Sequence, residues 1–254
     1  MNKHVLITGA TSGIGRATAY AFARHGAALM LTGRRKDRLE HIADDLRSQF
    51  NSEIQTLAFD VRDHQACSEA VATITSPVDV LINNAGLARG LHPVHEGQLD
   101  HWEEMIDTNI KGLLYMTRLI SPGMVERGEG HIINVCSTAG HEVYPMGNVY
   151  CATKHAVNAL TRAMRADLYT HGIRVSQVSP GHVEETEFAR VRFDWDEKRA
   201  SIYDTFNPLK SKDVAEAVWF IASRPAHVNI QDILLMGTQQ AGSNLIDRSG
   251  RKYE

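Results

Sequence analysis

Apolar residues along this chain fall into short blocks separated by longer stretches of mixed polarity. HVLIT (4–8), AALMLT (27–32), IQTLAF (54–59) and VDVLIN (78–83) are nearly continuous runs of strand length, rich in aliphatic residues. HIINVC (131–136), IRVSQVS (173–179) and DILLM (232–236) continue the series. Between the blocks the apolar spacing becomes helical, over Ile14–His25, Lys36–Phe50, His64–Ile74, Asp100–Val125, Tyr150–Tyr169 and Asp213–Ser223. Strands that are apolar on both sides need cover on both faces, which a parallel sheet gains from the helices that connect it. Right-handed crossovers then predict a doubly wound α/β fold: a parallel seven-stranded sheet of Rossmann type in a single domain spanning 1–254. The alternation lapses from about 182 to 207, where the chain becomes polar, charged and aromatic. An inserted loop or small helices over the carboxyl edge of the sheet are expected there, where such folds bind ligands, so this segment is the expected substrate loop.

Composition narrows the class. Of 254 residues, 43% are apolar and 22% charged, enough for a sizeable core. The formal net charge is −3 with no long run of one sign, which argues against nucleic acid or an anionic membrane surface as partner. No apolar run is long enough to predict a transmembrane helix, and MNKHVLITGA enters the first strand with no room for a signal peptide. Cys67, Cys136 and Cys151 make no disulfide framework and fit a reducing compartment, so a cytoplasmic location is expected. His92, His95 and His101 cluster loosely, but no second group of ligands accompanies them and no metal site is expected.

TGATSGIG (8–15) lies between the first strand and the first helix. Gly9, Gly13 and Gly15 permit a tight turn and close approach to a pyrophosphate, and Thr11, Ser12 and Ile14 complete the loop. The helix N-terminus adds amide donors and a positive dipole. The spacing is GxxxGxG rather than GxGxxG. At the end of the second strand, LTGRRKDR has Gly33 where a carboxylate would select NAD, followed by Arg34 and Arg35. Guanidinium groups suit a 2′-phosphate, so the expected cofactor is NADP(H). Asp60 and Val61 close the third strand, where an acid can accept from an adenine amino group. In NNAG, Asn83, Ala85 and Gly86 close the fourth and leave space for a cofactor against backbone.

Ser137 follows the fifth strand, and Tyr150 and Lys154 stand four apart at the start of the next long helix, on one face. A positive charge about 4 Å from the phenol, at an effective dielectric near 20, is worth roughly 4 kcal/mol before screening. The expectation is that Lys154 lowers the Tyr150 pKa by about 2 from its usual ~10, making the phenol an acid/base beside a Ser137 hydroxyl that holds the substrate oxygen. Arg190 and Arg192 in EFARVRF, and Arg89 after NNAG, are candidate cations for a substrate carboxylate. An extended ARVR would turn Arg190 and Arg192 to one side.

In order along the chain, TGATSGIG, Asp60, NNAG, Asn109, Ser137 and Tyr150-x-x-x-Lys154 resemble the short-chain dehydrogenase/reductase family. The resemblance implies that Ser137 and Tyr150 bind the reacting oxygen, and that Lys154 tunes Tyr150 and holds the nicotinamide ribose. It implies that Asn109 distorts its helix to position a proton-relay water, and that Pro180, Gly181, Val183 and Thr186 surround the nicotinamide carboxamide. PGHVEET has one residue more before Thr186 than the family's usual PGxVxT. DTNIKGLLYMTR, PGMVERGEGHIIN, STAG, TEFARVRF and PAHVNI are further similar to the NADP-dependent 3-hydroxy acid dehydrogenases. That similarity implies a small 3-hydroxy acid or its carbonyl form as substrate, in the class of serine, allo-threonine or 3-hydroxypropionate, and a homotetramer. The tail AGSNLIDRSGRKYE either reaches a neighbouring subunit or frays. Two other readings stay open at this level. One is a reductase of another carbonyl, such as a 3-oxoacyl thioester, a sugar or a steroid. The other is an NADP-binding regulator without turnover, against which the intact Asn–Ser–Tyr–Lys set argues.

Overall fold

A computed structural model describes residues 3–251 and 253. Seven strands form one parallel sheet: β1 (His4–Ile7), β2 (Ala28–Gly33), β3 (Ile54–Ala58), β4 (Val80–Asn83), β5 (Gly130–Val135), β6 (Ile173–Pro180) and β9 (Asp232–Leu235), with a pair of short strands, β7 (Val183–Glu184) and β8 (Leu209–Lys210), forming a separate parallel ribbon. The spatial order is β3-β2-β1-β4-β5-β6-β9. Alternate side chains serve opposite faces. Val5 and Ile7 of β1, with Leu29, Leu31, Val80 and Ile82, pack against α1 (Gly13–Arg24), α2 (Lys36–Phe50) and α9 (Ser211–Ala222). Leu6, Met30, Leu81 and Ile132 face α5 (Leu113–Arg127) and α6 (Asn148–Leu168), with α3 (His64–Ala72) at the side. Each large aliphatic side chain taken fully from water contributes roughly 1.5–3 kcal/mol, which is why these central strands tolerate almost no polarity. Winding reverses between β1 and β4, so their carboxyl ends open the crevice in which the site lies.

Two segments refine the expected elements. The helix expected over Asp100–Val125 is broken: α4 (Leu99–Ile106) passes into a π-type stretch, Asp107–Gly112, before α5 begins. Buried Asn109 lies in that stretch and bonds to the Leu87 backbone rather than fitting a regular turn. In the 182–207 segment, α7 (Phe188–Arg192) and α8 (Glu197–Ala200) are short helices over the carboxyl edge. ARVR is therefore helical, not extended. Val191 N donates to the Glu187 carbonyl at 2.8 Å, and positions 190 and 192 diverge by about 200° around the axis. Among the described residues no helix is long and apolar enough to cross a membrane.

Candidate active site

The phosphate loop is held from below by the chain leaving β4. Thr8 Oγ1 accepts from the backbone amides of Asn84 and Ala85, both at 3.0 Å, and Asn84 Nδ2 donates to the Thr8 carbonyl at 2.8 Å. Gly9 has φ +68°, and a Cβ there would stand 2.9 Å from the Ala85 Cα. Gly13 has φ +51°, and its Cβ would meet Thr186 Cγ2 at 3.1 Å. Side chains at either position would be strained and would fill the cradle. Gly15 lies behind the loop, where a Cβ would strike Asn84 Nδ2. Ser12, the residue before α1, makes no side-chain capping bond and accepts instead from Arg35 Nη2 at 3.1 Å. The leading amides of α1 thus keep their donor capacity for an anion.

Arg35 folds onto this loop. Its Nη2 donates to Thr11 Oγ1 at 2.7 Å, and its Nη1 pairs with Glu187 at 2.7 Å. Gly33 permits that approach, because a Cβ there would stand 2.7 Å from Thr11 Cγ2. Arg34 lies 3.8 Å from the Asp60 carboxylate, which Arg62 clasps at 2.7 Å. Burial pushes the Asp60 pKa up, but hydrogen bonds from the Arg62 side chain and backbone and the charges of Arg62 and Arg34 outweigh it, and the net displacement is downward. Asp60 is an ionised acceptor at neutral pH.

At the other end of the same cavity, of about 830 Å³, stand Ser137, Tyr150 and Lys154. Ser137 opens a single 3₁₀ turn, its hydroxyl accepting from Ala139 N at 3.1 Å. Tyr150 and Lys154 share one face of α6, and both are buried. Lys154 Nζ donates to the Val135 carbonyl at 2.9 Å. A Cβ on Gly86 would lie 3.2 Å from Asn109 Oδ1 and 3.6 Å from Lys154 Nζ, so Gly86 is bracketed by the two polar groups. Asn109 Nδ2 donates to the Leu87 carbonyl at 2.8 Å and to Thr153 Oγ1 at 3.0 Å.

The expected lowering of the Tyr150 pKa is reversed in this structure. Burial pushes the phenol above its ordinary range and Tyr144 adds to the rise, while the neighbouring Ser137 hydroxyl and the Arg192 charge oppose it. Burial also lowers the Lys154 pKa, with Cys136 opposing. Desolvation of both groups exceeds the attraction that sequence spacing suggests, and the Lys154 ammonium is spent on a backbone carbonyl. The phenol is therefore protonated at neutral pH.

Other sequence expectations are redistributed. Asn83 is turned away from the cavity: it is buried and donates to Thr117 Oγ1 at 3.0 Å and Asn134 Oδ1 at 2.9 Å. Side chains alternate at the strand end, so Asn84, Ala85 and Gly86 line the cavity instead. Arg190 lies outside the cavity, exposed and paired with Glu197 at 3.1 Å. Arg89 lines the cavity but is paired with Glu104 at 3.2 Å and Asp194 at 2.8 Å. Arg192 differs from both. It is buried, lines the cavity, donates to the Gly90 carbonyl at 3.1 Å and the Tyr144 hydroxyl at 3.0 Å, and has no carboxylate partner among the described residues. Its guanidinium carbon lies 5.7 Å from the Tyr150 ring centre. Cys151 is buried, so it offers no exposed thiol.

Gly9, Thr11, Ser12, Gly13, Ile14, Arg34, Arg35, Asp60 and Val61 line the cavity, as do Pro180, Gly181, Val183 and Thr186. The extra residue of PGHVEET is taken up at Glu185, which has φ +58° and brings Thr186 against Gly13. Sequence reading missed Glu187, Tyr144 and the C-terminal turn. The start of the tail is folded against its own chain rather than frayed: Ser243, Asn244, Ile246 and Arg248 line the cavity, Ser243 N donates to Glu142 Oε2 at 2.8 Å, and Gln240 just before it accepts from His182 N at 2.9 Å. Ser243 Oγ is buried without a hydrogen-bond partner. No periodicity or motif in that stretch signals such a role.

Comparison with known proteins follows the same outline. The family model for short chain dehydrogenases matches residues 3–197. The chain is 45% identical over 245 residues to an NADP-dependent 3-hydroxy acid dehydrogenase of Salmonella typhi, covering 95% of this chain and 97% of that protein. It is 42% identical over 248 residues to sulfoacetaldehyde reductase 2 of Chromohalobacter salexigens, covering 96% and 97%. Among solved structures, the closed form of serine dehydrogenase complexed with NADP+ superposes with a TM-score of 0.90 at 44% identity, covering 95% of this chain and 98% of that one.

Proposed function

This chain belongs to the short-chain dehydrogenase family, and from that premise we propose that it is an NADP(H)-dependent oxidoreductase of CH–OH groups, moving a hydride between nicotinamide and a small 3-hydroxy acid or its carbonyl form. One observation carries the substrate class. Of three candidate arginines, Arg89 and Arg190 are already paired with acids, whereas Arg192 sits buried beside Tyr150 with no carboxylate partner among the described residues. An unpaired buried cation facing a reacting centre suits a substrate that brings the anion.

The residues present fit the dinucleotide. Gly9 and Gly13 leave a cradle that a Cβ would fill, and the N-terminus of α1 offers amide donors. In this reading the loop from Gly9 to Gly15 holds the pyrophosphate, Arg34 and Arg35 the 2′-phosphate, and Asp60 and Val61 the adenine. Ala85 and Gly86 give the cofactor room, Tyr150 and Lys154 hold the nicotinamide ribose, and Pro180, Gly181, Val183 and Thr186 surround the carboxamide. When bound, NADPH supplies the hydride, or NADP+ accepts it.

Ser137 and Tyr150 hold the substrate oxygen. In reduction, the Tyr150 hydroxyl gives its proton to that oxygen as negative charge develops on it. With its pKa above the ordinary range, the phenol carries that proton at neutral pH. Lys154 and Asn109, which bracket Gly86, form the path for the replacement proton. Arg192, steadied by Tyr144, holds the acid group. The exposed Leu99, Ile106 and Leu114 on α4 and α5 support a homotetramer, and the free buried thiols support a cytoplasmic location. Tyr150→Phe tests the assignment: NADPH binding stays within about threefold while turnover falls by roughly 10²–10⁴. Retained turnover would remove Tyr150 from the acid role.

A further inference from the structure

Glu187 has no part in the reaction as derived, yet it sits where the cofactor's 2′-phosphate is expected. Its two carboxylate oxygens are divided between two arginines: Oε2 accepts from Arg35 Nη1 at 2.7 Å, and Oε1 from Arg38 Nη1 at 2.6 Å. Arg35 is also fixed to Thr11 at 2.7 Å and Ser12 at 3.1 Å, so its guanidinium has both terminal nitrogens engaged. The three side chains form a bridge from the phosphate loop and α2 to the segment after β6. The bridge is also a partition. On one side lies the cofactor cavity of about 830 Å³, on the other a groove of about 910 Å³, and Thr11, Ser12, Gly13, Thr186 and Glu187 line both.

Glu187 is the residue from which α7 starts, its carbonyl accepting from Val191 N at 2.8 Å. The same short helix carries Phe188, whose ring lies 5.5 Å from that of Tyr150, and Arg192. A group that draws on Glu187 therefore acts on the helix that faces the substrate.

From this geometry we propose that Glu187 is an internal competitor of the cofactor's 2′-phosphate: the phosphate takes over the Arg35 and Arg38 guanidinium edges, expels the carboxylate, and releases α7 to adjust over the substrate. The proposal rests on the reading of NADP(H) as cofactor and on Arg35 as its phosphate ligand. The reason is charge and donor count. A phosphate dianion and a carboxylate seek the same guanidinium edges, and the two anions repel when both are near them. The dianion carries more charge and more acceptors, so it prevails, at the expense of the two ion pairs that tether the loop. A cofactor without the 2′-phosphate makes no such demand and leaves the bridge intact. Glu187 is ionised at neutral pH: burial raises its pKa, but the hydrogen bonds and charges of Arg38 and Arg35 outweigh that and lower it.

The test is Glu187→Gln, which keeps the shape and removes the charge. Dissociation constants of NADP+ and NAD+ are measured by fluorescence titration, with adenosine 2′,5′-bisphosphate and adenosine 5′-phosphate as half-cofactor probes. For NADP+ and the bisphosphate, the variant is expected to bind tighter than the parent by roughly three- to thirtyfold, the range of two partly exposed ion pairs. NAD+ and the monophosphate should shift by less than twofold. In the cofactor-free protein, trypsin should cut at exposed Lys198 or Arg199 several times faster in the variant. Weaker or unchanged NADP+ binding would overturn the proposal, because Glu187 would then be a scaffold for the arginines or a bystander. Equal tightening for NAD+ would also overturn it. Should the parent protein itself bind NADP+ no better than NAD+, the failure lies in the cofactor reading and not in Glu187 alone.

Discussion

Replacing Arg192 with Gln probes the substrate class at the one of the three candidate arginines that has no acid partner among the described residues. The amide keeps a donor toward the Gly90 carbonyl, now served at 3.1 Å, and loses the charge and the contact with the Tyr144 hydroxyl at 3.0 Å. The guanidinium is buried, so a substrate carboxylate meeting it does so away from bulk water. Removing one partner of such a pair costs about 2–4 kcal/mol, since the other charge is left desolvated and unpaired. At 1.4 kcal/mol per decade this is a loss of roughly 30- to 1000-fold in kcat/KM for acidic substrates. A neutral analogue gains nothing from the charge and should change by less than about fivefold. The assay is nicotinamide absorbance with 3-hydroxypropionate and with its amide, on the parent enzyme, Arg192→Gln and Arg190→Gln. Arg190 is exposed and paired with Glu197, so its replacement should leave both substrates alone. A fluorescence titration checks that NADP+ affinity is unchanged in each variant. Equal losses for the acid and the amide in Arg192→Gln would refute the argument and reduce Arg192 to a packing residue beneath Tyr144 and Tyr150.

Three further outcomes follow from the same geometry. Lys154→Met should lose turnover yet melt higher: the folded-state pKa is lowered by burial, so the charged lysine costs stability at neutral pH, and removing it gains about 1 kcal/mol, or roughly 2–4 °C in Tm by calorimetry; a lower Tm would contradict this. The raised Tyr150 pKa fixes the sign of the pH dependence, because the acid form exists below that pKa: kcat/KM for reduction should hold through neutrality and fall only above the ordinary tyrosine range near 10, while oxidation, which needs the phenolate, climbs with pH. A reductive profile that falls between about pH 6 and 8 would instead assign the proton to another group. Gly33→Asp should shift preference from NADP+ toward NAD+ by at least about tenfold, since its Cβ meets Thr11 at 2.7 Å and its charge opposes a 2′-phosphate; an unchanged ratio of kcat/KM values would count against Arg34 and Arg35 as phosphate ligands.

What the sequence discloses about this chain depends on how local each cause is. The strands are legible because burial on both faces demands unbroken aliphatic runs, and Val5, Leu6 and Ile7 serve opposite cores in alternation. The phosphate loop is legible because Gly9 and Gly13 adopt conformations that few other residues tolerate. Periodicity misses the break before α5, which only the family resemblance anticipates at Asn109, since Asn109 bonds there to Leu87, a partner 22 residues away. Whether Asn83 or Asn84 faces the cofactor turns on a single residue of strand phase. ARVR is too short for periodicity to separate helix from strand. Glu187 is an ordinary acid in a charged stretch until the fold brings Arg35 and Arg38 to it across 152 and 149 residues. The Tyr150–Lys154 spacing reads correctly as one helix face, but spacing carries no information about desolvation, which decides both pKa directions.

Steady-state rates on a substrate panel show whether this cavity oxidises and reduces small 3-hydroxy acids with NADP(H). Serine, allo-threonine, 3-hydroxypropionate and 3-hydroxyisobutyrate would be compared with neutral alcohols and a 3-hydroxyacyl thioester, each with NADP+ and with NAD+. NADP+ reduction is expected with at least one of the acids, with kcat/KM at least about tenfold above the neutral compounds and above the same acid with NAD+. Faster turnover of a neutral alcohol or the thioester, or tight NADP+ binding with no turnover of any substrate, would contradict it.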